Sequence, residues 1–223
     1  MLQGKSKKIF IYFLLLILVG SINNISLNKI KLSNITDIKI LGLGNENNNF
    51  LIKNLTNLEL GNIFFIDKKV IIDLIENNNL VENYDVFKIY PSTLYINIQK
   101  TKFLARTNYD GENFIIGSNG KLIKNSLYKQ YMPFIFGNPK IKDFLNFKKI
   151  IDDSKFNYND ISNIFYFASG RWDLELTNGL IIKLPEKNIK KSLELLFEFL
   201  KNEELKNVKL VDLRVNNQIV LDD

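Results

Sequence analysis

Residues 81–100 read VENYDVFKIYPSTLYINIQK and predict two β-strands joined by a tight turn. Leu94, Ile96 and Ile98 fall on one face of the second strand, because successive side chains of a strand point to opposite faces. The Tyr90-Pro91-Ser92 string has the composition of a turn. The sequence therefore predicts strands over residues 81–89 and 94–100, each with one buried face.

One more strand and two helices are predicted upstream of this pair. Residues 37–41 alternate apolar and polar side chains, and residues 50–58 carry apolar side chains at helical spacing. Asp67 is a suitable N-cap for a helix over residues 68–77. The order strand, helix, helix, strand, strand predicts a three-stranded sheet packed against two helices. Its expected buried residues are Ile38, Ile40, Val86, Ile96 and Ile98.

From residue 103 onward, short apolar segments alternate with turn signals such as Asp110-Gly111 and Asn178-Gly179. We expect mainly antiparallel strands here, with flanking helices over residues 141–152 and 185–204. Residues 208–213 and 218–221 predict the closing strands. The fold class expected for the chain is therefore α+β.

The N-terminus carries an almost uninterrupted apolar stretch over residues 9–28, preceded by Lys5, Lys7 and Lys8. A bilayer-spanning helix needs roughly 20 mostly apolar residues, and cationic flanks stay in the cytoplasm. We predict a cytoplasmic tail over residues 1–8, a transmembrane helix over 9–28 and the remainder outside. The alternative is a signal peptide cleaved near Val19-Gly20-Ser21, which would release a periplasmic protein.

The composition excludes several classes of chemistry. The chain contains no cysteine and no histidine, which rules out disulfides, thiolate nucleophiles and histidine general bases. Its net charge of +6 comes almost entirely from scattered lysines, whereas nucleic-acid binding favours clustered arginine with aromatic residues. We therefore expect no metal, no cofactor and no nucleic-acid partner.

Asp173 and Glu175 form the acidic pair that most resembles a catalytic site, because alternate residues of one strand face the same side. A glycosidase needs two carboxylates about 5–9.5 Å apart in a cleft. A solvated strand face beside Arg171 explains the pair better, and we predict that the protein is not an enzyme.

Arginine is rare in this chain, and two of its arginines lie beside aspartates in predicted strands. A planar guanidinium can bind a carboxylate with two hydrogen bonds. We predict structural ion pairs across strands, Arg171 with Asp212 or Arg214 with Asp173; the alternative is exposed charges worth well under ~1 kcal/mol. Trp172 shares a strand face with Leu174 and is predicted to be core.

Several strings occur in a characteristic order along the chain. They are Leu43-Gly44, Lys88-Ile-Tyr-Pro-Ser-Thr-Leu-Tyr-Ile96, Ala105-Arg106, Met132-Pro-Phe-Ile-Phe-Gly137, Arg171-Trp-Asp-Leu-Glu-Leu-Thr-Asn-Gly179 and Val211-Asp-Leu-Arg214. Their order and spacing resemble the FtsQ/DivIB family of bacterial cell-division proteins. The chain departs from the family pattern at Lys100, where the family usually has Glu, and at Phe103, where it has Pro.

The resemblance implies a POTRA-like domain over residues 33–102 and an FtsQ-type β domain over residues 103–223. It implies a single-pass inner-membrane protein at the division septum, with a cytoplasmic N-terminus and a periplasmic C-terminus. Its expected role is a non-enzymatic scaffold for FtsB- and FtsL-like bitopic partners that helps control septal peptidoglycan synthesis. The alternative is another POTRA-type assembly or binding module, released by a signal peptidase.

The stretch after Arg214 reads VNNQIVL and contains neither proline nor lysine, the residues that protect an exposed strand edge from pairing. The family resemblance implies that this segment receives the FtsB-like partner by strand addition. Its proposed contact residues are Val215, Asn217, Ile219 and Leu221, which share one face if the strand is unbroken. A bend at the asparagines would break that alternation, and an internal strand without a partner is the alternative.

Overall fold

The computed structural model describes residues 3–22, 34–124, 131–201, 208–215 and 218–222. Helix α1 (Gln3–Ile22) has exposed apolar side chains from Ile9 to Val19. Within the described ranges, no helix combines the length and the apolar character needed to cross a bilayer. The predicted transmembrane segment over residues 9–28 continues past Ile22 into residues outside those ranges.

A three-stranded sheet with two helices on one face forms the first folded unit. Its elements are β1 (Asp37–Leu41), α2 (Asn45–Asn57), α3 (Lys68–Glu76), β2 (Val81–Ile89) and β3 (Thr93–Lys100). The strand order is β1-β3-β2, with β1 parallel and β2 antiparallel to β3. This arrangement confirms the predicted order of elements. Ile40, Ile96 and Ile98 are buried as expected, while Ile38 and Val86 are half-buried at the rim.

Local chemistry sets the ends of these elements. The Asp67 carboxylate accepts a hydrogen bond of 2.9 Å from the Lys69 N–H and begins α3. After β1 the chain turns at Gly42, whose φ is 114°. A Cβ at Gly42 would lie 1.6 Å from the Ile98 carbonyl oxygen, so only glycine fits between β1 and β3.

A nine-stranded sheet forms the second unit. Its strands are β4 (Phe103–Tyr109), β5 (Glu112–Gly117), β6 (Leu122–Lys124), β7 (Phe134–Phe136), β8 (Ile161–Tyr166), β9 (Trp172–Leu176), β10 (Ile181–Lys183), β11 (Leu210–Asp212) and β12 (Val220–Asp222). They follow the order β12-β11-β10-β9-β8-β7-β4-β5-β6. The pairs β4–β7, β7–β8 and β10–β11 are parallel and the others are antiparallel. The unit is therefore mixed, with antiparallel pairs in the majority.

Helices α4 (Ile141–Asp152) and α5 (Ile189–Leu200) pack on one face of this sheet. Trp172 is buried there as predicted, with its ring 4.5 Å from that of Phe147 and the two planes 5° apart. Helix α5 begins later than the predicted residue 185, because Asn188 adopts a left-handed conformation with φ of 62° that separates Pro185 from the helix.

The two units share one apolar core at their junction. Ile115, Ile123 and Met132, from the larger unit, are buried in the same cluster as Leu80 and Val81. At the same junction, the Asn119 side-chain amide donates to the carbonyls of residues 79 and 81 at 2.9 and 2.8 Å. The Ser118 hydroxyl donates to Glu82 at 2.7 Å. Packing and hydrogen bonds therefore fix the two sheets against each other.

Replacing Ile71 with Ala in α3 is expected to lower the free energy of unfolding by about 2–5 kcal/mol, because the side chain is fully buried. Val70→Ala is the matched control on the same helix, since Val70 is 40% exposed and should change that energy by less than about 1 kcal/mol. Urea unfolding followed by circular dichroism measures both. Equal effects of the two substitutions would show that the buried face of α3 is misassigned.

Candidate partner-binding edge of the nine-stranded sheet

Strand β12 forms one edge of the nine-stranded sheet. It pairs antiparallel with β11, with Leu221 opposite Val211 and Val220 opposite Asp212. Among the described residues, β11 is the one strand bonded to β12, so the other side of β12 is open. The prediction that the chain closes with an edge strand is consistent with this position.

The backbone of Leu221 faces the open side. The Asp222 carbonyl accepts a hydrogen bond of 3.1 Å from the Lys209 N–H, so the polar groups of Asp222 point toward β11. The N–H and C=O of one strand residue point to the same side, and those of the next residue point to the other. Leu221 therefore presents one donor and one acceptor at the open edge.

Three of the four predicted contact residues are described, and these three do not form one continuous face. Val215 is exposed and its carbonyl accepts from the Gln218 N–H at 3.2 Å, which makes a turn between β11 and β12. Ile219 is half-buried against the core, and Leu221 is exposed in the strand. Asn217 lies outside the described residues. The Val215–Gln218 hydrogen bond therefore fits the bend that the sequence analysis gave as one of its two arrangements, and it does not fit an unbroken strand.

The predicted cross-strand ion pairs are also wrong. Arg171 donates from Nε to Asp173 at 3.1 Å, and Arg214 donates from Nε to Asp212 at 2.9 Å. Each arginine pairs with the aspartate two residues away. The register explains this choice, because Lys183 of β10 lies opposite both Asp173 and Asp212 and separates the two pairs.

The two ion pairs differ in environment. Asp173 is buried and also accepts from the Leu184 N–H at 3.3 Å, so its carboxylate ties β9 to the chain after β10. Arg214 lowers the pKa of Asp212 through side-chain hydrogen bonds, and Asp212 raises the pKa of Arg214 in return. Arg214 thus holds a fixed, exposed charge beside the open edge.

Sequence reasoning missed the burial of Asp173. The string Trp172-Asp-Leu-Glu-Leu176 gave no signal of it, because strict apolar and polar alternation predicts that Asp173 lies on a solvated face. Within the part of the chain that the structure describes, no group of three or more His, Cys, Asp or Glu side chains could hold a metal ion. The open edge and its exposed apolar side chains are thus the features suited to binding a protein chain.

Family models match both units. The C-terminal model of cell division protein FtsQ/DivIB matches residues 105–214, and the FtsQ-type POTRA domain model matches residues 33–100. The cell division protein DivIB of Clostridium botulinum (strain Hall) is 31% identical over 225 residues, which cover 93% of this chain and 86% of that protein. The chain belongs to the FtsQ/DivIB family.

Similarity to other members is weaker. The cell division protein FtsQ of Agrobacterium fabrum is 26% identical over 145 residues, or 63% of this chain. This chain spans about half of that relative's length, 46%. The major extracytoplasmic domain of DivIB from Geobacillus stearothermophilus superposes with a TM-score of 0.34 at 14% identity. That superposition covers 43% of this chain and 87% of that domain.

Replacing Arg214 with Gln is expected to raise the pKa of Asp212 toward its ordinary value of 3.8, because the guanidinium that favours the carboxylate is lost. A group with a lowered folded-state pKa stabilises the fold above its ordinary pKa and loses that contribution as the pH falls through the folded-state pKa. The melting temperatures of wild type and R214Q should therefore differ most above pH about 4 and converge in stronger acid.

Carboxyl NMR titration measures the pKa, and thermal melts between pH 2 and 7 measure the convergence. Lys201→Gln is the matched control, because Lys201 pairs with Glu198 instead of Asp212. An Asp212 titration that is unchanged in R214Q would contradict the assigned cause.

Proposed function

We propose that this FtsQ/DivIB family protein is a non-enzymatic scaffold of the bacterial division machinery. It would bind FtsB- and FtsL-like bitopic proteins and, through them, help control septal peptidoglycan synthesis. The observation that carries the proposal is the open edge of β12, where the Leu221 backbone faces away from β11. Family membership supplies the cell-division context.

Strand addition is the binding mode that suits this edge. Residues 220–222 contain neither proline nor lysine, and their one charged residue, Asp222, has its backbone polar groups turned toward β11. In this mode, backbone hydrogen bonds align the partner and side chains select it. The FtsB-like partner would therefore add a strand beside β12.

Exposed apolar side chains surround the edge. Val215 and Val220 are both more than half exposed, and Leu221 is exposed beside them. Ile219 would act differently, because it packs against the core and holds β12 in place. Asn217 stays part of the proposed contact set without a described position.

The acidic pair considered for catalysis is engaged in structural contacts, which supports a non-enzymatic role. Asp173 is bound by Arg171 and the Leu184 amide, and Glu175 accepts from the Asn163 side-chain amide at 2.8 Å. Both carboxylates already have protein partners. A hydrolase would need one of them free in a cleft.

We further propose that the protein is a single-pass inner-membrane protein of the division septum. Residues 1–8 would lie in the cytoplasm, residues 9–28 would cross the membrane and residues 29–223 would lie in the periplasm. The lysines before residue 9 and the exposed apolar side chains of α1 support this topology.

Leu221→Pro is the sharpest test of strand addition. It removes the one N–H of Leu221, which faces the open edge, and leaves the polar groups of Asp222 in place against β11. Binding of the full chain to the FtsB-like protein of the same cell should weaken through the lost side-chain burial and, in addition, by about 5- to 10-fold for the lost hydrogen bond.

Leu221→Ala is the control, because it also loses the Leu221 side chain but keeps the N–H, so the proline variant should bind about 5- to 10-fold more weakly than the alanine variant. Both variants are first checked for a wild-type melting temperature, and binding is then measured by titration in detergent. If the proline variant folds normally and binds with unchanged affinity, the edge assignment is wrong.

The topology has a separate test. A reporter that is active only in the cytoplasm, fused after Asp223, should give no signal, and the first residues should persist in the mature protein. Cytoplasmic reporter activity would reverse the topology. A mature protein that lacks the first ~20 residues would instead favour the released periplasmic module.

A further inference from the structure

Three aromatic side chains form an exposed cluster at one end of the three-stranded sheet. Phe64 stacks on Tyr90 with ring centroids 4.8 Å apart, and Phe65 extends beside them. Their exposed fractions are 49% for Phe64, 80% for Phe65 and 58% for Tyr90. We call Phe64, Phe65 and Tyr90 the aromatic tip. An exposed apolar cluster of this kind marks a surface that contacts something else.

The aromatic tip is held in place by its own backbone. The Asn62 side-chain oxygen accepts from the Phe64 N–H at 2.9 Å, and the Asn62 carbonyl accepts from the Phe65 N–H at 3.1 Å. Two residues further on, Asp67 caps α3. The fold therefore presents Phe65 to solvent through a defined turn that ends in a helix.

The aromatic tip lies where the chain enters this unit from its N-terminal side. Asn34 forms a bridge with Asn62, and the Thr36 N–H donates to the Ser92 carbonyl at 3.0 Å, two residues beyond Tyr90. Helix α1 ends at Ile22, twelve residues before Asn34. A chain of that length spans at most ~40 Å, so Asn34, beside the tip, lies within that distance of the end of α1.

Lysines outnumber carboxylates next to the aromatic tip. Lys68 and Lys88 lie within three residues of the tip in sequence and line one groove together with Asp85, and Lys69 is exposed on the next position of α3. Asp67 is the second carboxylate nearby, and it accepts from a backbone N–H. Aromatic rings with adjacent lysines are the side chains that bind at the headgroup level of anionic membranes.

We propose that the aromatic tip docks on the anionic lipid surface of the membrane from which α1 emerges. The proposal rests on the membrane topology proposed above. The rings of Phe64, Phe65 and Tyr90 would enter the interface, and the three lysines would contact lipid phosphates. The three-stranded sheet would then stand on the bilayer in one orientation.

The absence of cysteine from the sequence allows a direct test with single-cysteine variants. Phe65→Cys carries a nitroxide spin label, and the full chain is reconstituted into vesicles of phosphatidylglycerol and phosphatidylethanolamine. Lys142→Cys is the matched control, because Lys142 is exposed in the first turn of α4 on the other unit. Power saturation with oxygen and with a water-soluble nickel complex measures the depth of each label.

At Phe65, collisions with oxygen should exceed collisions with nickel by several-fold, and the ratio should reverse at Lys142. In vesicles of neutral phosphatidylcholine the ratio of oxygen to nickel collisions at Phe65 should fall, because the lysines no longer face anionic headgroups. If the chain sediments with vesicles while the Phe65 label stays as accessible to nickel as the Lys142 label, the proposed transmembrane segment is supported and the lipid docking of the aromatic tip is wrong. That result would assign the tip to a protein partner. If the chain does not sediment with vesicles at all, both proposals fail.

Discussion

The apolar contact through which the two sheets share a core governs the rest of this molecule. Ile115, Ile123 and Met132 fill the same cluster as Leu80 and Val81, and Asn119 closes it with two hydrogen bonds to backbone carbonyls. Protein interiors are packed to crystal-like density, so a rotation at this junction would open a void or expose apolar surface. The aromatic tip and the open edge therefore belong to one body.

The junction also explains why the first unit contacts one edge of the nine-stranded sheet and not the other. Strand β6 lies at the junction, where the Asn79 side chain donates to the Leu122 carbonyl at 2.8 Å. Strand β12 lies eight strand spacings away, or ~38 Å at about 4.8 Å per spacing. The first unit thus contacts the β6 edge and cannot reach the other, and among the described residues only β11 pairs with β12.

Sequence reasoning located most elements, because their signals are local. Asp67 caps α3 from one residue outside the helix, and alternation placed Leu94, Ile96 and Ile98 on the buried face of β3. The prediction errors arose where the result depends on contacts between segments that are distant in sequence. The ion-pair partners of Arg171 and Arg214 depend on the strand register, which places Lys183 of β10 between Asp173 and Asp212. The residue pattern of β9 or of β11 alone does not predict that register. The sequence analysis left the bend between Val215 and Ile219 open, because it depends on how β12 meets β11.

The length of β12 limits what strand addition can contribute. A three-residue strand presents one outward residue, Leu221, and hence one donor and one acceptor. At about 1 kcal/mol net for each hydrogen bond, the backbone supplies ~2 kcal/mol, whereas micromolar binding requires about 8 kcal/mol. The remainder must come from burying exposed apolar side chains such as Val215, Val220 and Leu221. In this proposal the backbone edge sets the register of the FtsB-like partner, and side-chain burial supplies most of the affinity. Under the same proposal, the packing of Ile219 and the Arg214–Asp212 pair would hold that edge in place before the partner binds, so most of the ordering cost would fall on the partner.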